Sequence, residues 1–179
     1  MLSGESAQGK YPVQSVSMMQ RIVNQSEAWA RSVDNVTPSI QAKPGCEGLY
    51  ESLASAAVDA SINLKAACII VHSMSGATAK DVAKYRPQVP IIAFCHTPKV
   101  GRMLQIYRGI HPVVLPAKEE AEVADEPSAT NSLALEIERS MALGFCKPGD
   151  TVVVLASEKG KEGSLLGNTV AMRVVQIKK

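Results

Sequence analysis

Aromatic residues are scarce in this chain. Two Phe, four Tyr and one Trp make up 4% of 179 residues, so Ala, Val, Ile, Leu and Met must supply most of the 46% hydrophobic fraction. No run approaches the roughly 20 apolar residues that a membrane-crossing helix needs. The opening MLSGESAQGKYP lacks the charged-then-apolar order of a signal peptide, and no membrane partner is expected. A net charge of +2 with scattered Lys and Arg argues against a nucleic-acid surface. Cys46, Cys68, Cys95 and Cys146 lie far apart, with no CxxC pair and no His at metal-ligand spacing. They are expected as reduced, mostly buried thiols of a cytoplasmic protein, with a disulfide the lesser alternative. GxGxxG is missing too: Gly76 stands alone within SMSGAT, which speaks against a nicotinamide or flavin.

What the chain does have is a stretch around which the rest can be arranged, KAACIIVHSMSGATAKDVAKY, from Lys65 to Tyr85. The apolar run Ala66 to Val71 reads as a buried strand of a parallel sheet. Small polar residues follow at Ser73, Ser75, Gly76 and Thr78, then helical spacing at Ala79, Val82 and Ala83. A strand, a tight turn and a helix N-terminus deliver unpaired N–H groups and short hydroxyls, the makings of a phosphate site. The competing reading is that Ser75 or Thr78 only caps the helix.

The flanking segments repeat the strand–helix alternation. The first ten residues read as a loop, and from Pro12 an amphipathic helix with Val16, Met19, Ile22 and Val23 runs to about Trp29. Residues 32–45, with Pro38 and Pro44, read as a linker between residues 1–31 and a domain over 46–179. A helix over about Cys46 to Asn63 carries a stripe of Leu49, Leu53, Ala56, Ala57, Ala60 and Leu64. Apolar runs at Ile91 to Phe94, Val113 to Leu115, Thr151 to Leu155 and Met172 to Ile177 read as further strands. A helix opened by Pro98 and ended by Gly109, and another from about Ser128 to Leu143, lie between them. The fold class predicted is α/β: a three-layer, mostly parallel five-stranded sheet with helices on both faces and an antiparallel last strand.

No nucleophile with a base, no paired carboxylates and no metal cluster stand out for catalysis. An acidic metal site within 118–127 has little to make its carboxylates converge. His72 and His96 fall at strand ends on the rim where open α/β sheets bind ligands. These two and His111 are read as structural. The loop SEKGKEGSLLGN places Lys159, Gly160, Lys161 and Gly163 where they could meet a second phosphate, provided the fourth strand lies near the first.

MLSGESAQGKYPVQSV, AKYRPQVPIIAF, YRGI at Tyr107 to Ile110, and GDTVVVL followed by GNTVAMRV together resemble the C-terminal part of pyruvate kinase. The likeness covers essentially all 179 residues. It implies that residues 1–31 correspond to the last loop and helix of the catalytic (β/α)8 barrel, with Ser3, Gly4 and Glu5 at its mouth. Residues 46–179 then correspond to the allosteric domain. The resemblance implies an effector phosphate held by Ser73, Ser75, Gly76, Ala77 and Thr78, and a second closed over by the loop with Lys159, Gly160, Lys161 and Gly163. It also implies a homo-oligomer, a tetramer in the full enzyme, with the rest of the pyruvate kinase chain as partner. Mg2+ and K+ would serve phosphoryl transfer there, with no cofactor in the present piece. Positions often basic in the family's turn are Met74 and Ala77 here, which weakens the case for a bisphosphate. An oligomerisation module without an effector, or a free-standing α/β domain for a small phosphorylated ligand, are the alternatives.

Overall fold

A computed structural model describes residues 2–32, 48–115, 129–158 and 169–178. The chain divides into two compact units, Met1–Ser39 and Ile40–Lys179. In the first, the loop expected over the opening residues contains a short helix, α1, Gly4–Ala7, closed by the Ala7 N–H donating to Ser3 O at 3.1 Å. Backbone hydrogen bonds from Glu5 and Ser3 hold the Glu5 carboxyl below its ordinary range. Helix α2, Pro12–Ser32, starts on a proline whose missing N–H costs nothing at that position. Val13, Val16, Ile22, Val23 and Trp29 along it are exposed.

The second unit carries α3 (Leu49–Asn63), β1 (Cys68–His72), α4 (Ala77–Lys84), β2 (Ile91–Cys95), α5 (Pro98–Leu104) and β3 (Ile110–Val114). Helix α6 (Ala129–Ala142) and strands β4 (Thr151–Glu158) and β5 (Thr169–Gln176) complete it. The sheet order is β3-β2-β1-β4-β5, with every pair parallel except β4 with β5. This is the expected α/β sheet, and β4 does lie beside β1, in register from Cys68 opposite Val152 to Val71 opposite Leu155.

Successive side chains on a strand point to opposite faces, and β1 is apolar on both. Ile69 and Val71 join Ile91, Ala93, Val153 and Leu155 beneath α3, α4 and α5. On the other face Cys68 and Ile70 join Ile92, Phe94, Val152 and Val154 against Leu133, Ile137 and Met141 of α6. Helices therefore cover both faces, the three layers expected. The edge strand β3 begins earlier than the apolar run Val113 to Leu115 indicates and accommodates Pro112, as an edge can. Helix α5 ends at Leu104, well before Gly109; that glycine, at φ +75°, instead turns the chain into β3, and its carbonyl accepts from the Ile91 N–H at 2.8 Å.

The stripe expected on α3 is rotated. Its buried residues are Ala54, Ala57, Val58 and Ser61, with Leu53 and Ala60 partly covered, while Leu49, Ala56 and Leu64 are exposed. Small side chains let the helix axis approach the sheet closely, and the leucines stand at the margins. Glu51 of α3 holds α4 by accepting from Lys84 Nζ and from the Tyr85 hydroxyl.

Cys68, Cys95 and Cys146 are buried free thiols, while Cys46 lies outside the described residues. Burial, with the neighbouring Cys146 thiol second, pushes Cys68 from 9.0 up to about 12. In the folded protein at pH 8, iodoacetamide should leave Cys68 unmodified and label it only in urea; mass spectrometry of the digested protein reads the outcome, and rapid native labelling contradicts it. The thiol stays protonated in the fold while the unfolded chain ionises. Its contribution to stability is therefore full below pH 9 and is lost as pH rises through about 12.

Candidate ligand site at the C-terminal rim of the sheet

Between β1 and α4 the chain must turn from the buried strand onto the helix above it. The Ser73 N–H still belongs to the sheet, donating to Phe94 O at 3.0 Å, and Ser73 is buried. Met74 and Ser75 then emerge into solvent. Gly76, at φ +80°, occupies the left-handed region and is the N-cap of α4. A Cβ there would stand 3.0 Å from Leu104 Cδ2 and 3.2 Å from both Met103 Cε and Val100 Cγ1. Glycine is thus required twice, by its dihedral angle and by the approach of α5.

The helix is not capped by a side chain at its N-cap. Ser75 Oγ accepts from the Ala77 N–H at a long 3.4 Å, and Gly76 O accepts from the Lys80 N–H at 3.1 Å. The amides of Thr78 and Ala79 belong to the first turn, where geometry provides no intrahelical acceptor. Of the residues predicted to meet a phosphate, Ser75, Gly76, Ala77 and Thr78 are gathered at this turn, whereas the amide of Ser73 is engaged in the sheet. Lys159, Gly160, Lys161 and Gly163 lie outside the described residues. So does the acidic run within 118–127. Strand β4 ends at Glu158 on the same rim as His72 at the end of β1.

Two of the histidines meet. His72 ends β1 and His96 follows β2, and their Nε2 atoms stand 3.1 Å apart. His72 Nδ1 lies 2.7 Å from Oε1 of Glu136, a carboxylate with only 5% of its side chain exposed. Glu136 was not singled out from the sequence. The signal was nevertheless present, since an acidic residue falls on the apolar face of α6 defined by Leu133, Ile137 and Met141. His111 is elsewhere, with its ring 4.8 Å from that of Phe145.

Residues 51–175 match the family described as pyruvate kinase, alpha/beta domain. The chain belongs to that family. It is 33% identical over 175 residues to pyruvate kinase 1 of Saccharomyces cerevisiae, covering 98% of this chain and 34% of the yeast protein. The match to pyruvate kinase of Clostridium acetobutylicum is 31% over 177 residues, covering 97% of this chain and 34% of that protein. With the cytosolic isozyme of Solanum tuberosum it is 36% over 173 residues, covering 87% and 32%. Cryptosporidium parvum pyruvate kinase, solved in complex with ADP, superposes with a TM-score of 0.70 at 30% identity over 98% of this chain and 33% of its own. The chain thus spans about a third of the length of its pyruvate kinase relatives. No helix among the described residues is long and apolar enough to cross a membrane.

Gly76→Ala should lower stability by about 1–3 kcal/mol, through the left-handed dihedral and the crowding against α5. A urea melt checks it, and an unchanged midpoint would mean that the turn does not depend on a left-handed residue.

Proposed function

We propose that this chain is the regulatory and subunit-assembly portion of a cytoplasmic pyruvate kinase, and that a phosphorylated small molecule binds at the turn from Ser73 to Thr78. The observation that carries the reading is the first turn of α4, whose amides at Thr78 and Ala79 lie at the C-terminal rim behind a left-handed Gly76. Anions are favoured at such a position by the N–H groups and by the helix dipole. Ser75 and Thr78 supply hydroxyls, and Ser73 contributes its side chain alone, because its amide is spent on the sheet. Lys159 and Lys161, with Gly160 and Gly163, are assigned to a second phosphate of the same ligand.

The complete enzyme of this family transfers a phosphoryl group from phosphoenolpyruvate to ADP with Mg2+ and K+. Mg2+ and K+ are assigned to the phosphoryl-transfer residues of the complete enzyme. Ser3, Gly4 and Glu5 are assigned to the mouth of the catalytic barrel and do not act alone. Supplied with phosphoenolpyruvate, ADP, Mg2+ and K+, the 179-residue chain should form no pyruvate above background; turnover would overturn the assignment. Self-association into the tetramer of the full enzyme is the other half of the proposal.

Fructose 1,6-bisphosphate, AMP and glucose 6-phosphate are the ligands to try. Binding at a hundredfold excess over Kd should raise stability by about 2.7 kcal/mol, visible as a higher melting temperature. Ser75→Glu places a carboxylate at the amides and should remove the shift while leaving the unliganded melt nearly unchanged. An unchanged melt with all three ligands would favour the alternative, an assembly module without an effector.

A further inference from the structure

We propose that His72 and His96 form a binding site for a divalent transition-metal ion of the Zn2+ class, with Glu136 as the residue that positions His72. The two residues are 24 apart in sequence and come together because β1 and β2 are parallel neighbours whose C-terminal ends share one rim. Two imidazole nitrogens about 2.0–2.1 Å from one tetrahedral ion stand about 3.3 Å from each other. The observed Nε2 to Nε2 separation is 3.1 Å. A straight N–H···N hydrogen bond would set the rings end to end, with their centres farther apart than the 5.0 Å found, so the ring axes do not share that line. The rings are inclined at 66° to each other.

Glu136 gives the arrangement its chemistry. Its carboxylate accepts from His72 Nδ1–H at 2.7 Å, which fixes the tautomer that leaves a lone pair on Nε2. A buried carboxylate on the far nitrogen of a histidine is the partner that metal-ligating imidazoles habitually have, because it orients the ring and raises its basicity. Glu136 is itself fixed in α6, where Ser140 Oγ donates to its backbone carbonyl at 2.7 Å. Among the described residues no third His, Cys, Asp or Glu joins the two imidazoles. The described residues therefore supply two ligands to the ion. Two neutral nitrogens suit Zn2+ or Co2+ and are poor ligands for Mg2+.

Zn2+ titrated calorimetrically into the 179-residue protein in a non-coordinating buffer should bind one to one. Co2+ in its place should give visible absorption bands of nitrogen ligation. His72→Gln and His96→Gln should each abolish the one-to-one event, and His111→Gln should leave it intact. Glu136→Gln should weaken Zn2+ by about 10–100-fold. Circular dichroism melts without metal establish that the variants fold. The proposal is overturned if His96→Gln binds Zn2+ as the parent does, or if no one-to-one binding occurs at several equivalents of Zn2+. In either case the two imidazoles share a proton and nothing more.

Discussion

The burial of β1 from both sides is the constraint on which the rest of the molecule depends. Ile69 to Val71 are paired with β2 on one edge and β4 on the other, and the four residues Cys68 to Val71 are fully buried. A strand so placed can satisfy its backbone only through β2 and β4, and its side chains only through helices on both faces. Parallel pairing on both edges forces the intervening chain to cross over the sheet, which puts α4 immediately after β1. The helix N-terminus and the strand ends are consequently gathered at one rim.

That rim is where polar chemistry becomes possible. At one point the chain needs a glycine that is both left-handed and unobstructed by a side chain, since α5 packs against it with Val100, Met103 and Leu104. At another it brings two imidazoles together over a buried carboxylate. Both are consequences of the same geometry: parallel strands end side by side, so residues far apart in sequence face one another just beyond the hydrogen-bonded ladder. Burying Glu136 without a partner would be costly, and the bond to His72 offsets that cost.

The helix stripe on α3 shows where pattern and packing part company. Leu49, Leu53, Ala56, Ala57, Ala60 and Leu64 make a plausible apolar face, but the sheet lies against Ala54, Ala57, Val58 and Ser61. Close approach of a helix to a sheet favours small residues at the centre, and periodicity weights leucine over alanine. The buried Ser61 is accommodated because its hydroxyl donates to Val58 O at 2.7 Å within the helix. Composition carries no information about that kind of internal bond.

Read alone, the sequence determined the order of strands and helices from α2 onward, the parallel sheet with its antiparallel last strand, the turn at Gly76 and the kinship with pyruvate kinase. These are properties of local runs: an apolar strand, a proline at a helix start and a glycine after a strand act over a few residues. Only the tertiary structure decided which face of α3 is buried, that the Ser73 amide is consumed by Phe94, and that Glu136, His72 and His96 meet. The reason is physical. Contacts between residues 24 and 64 positions apart are set by strand register and crossover, which bring distant segments to one place without leaving any periodic trace along the chain.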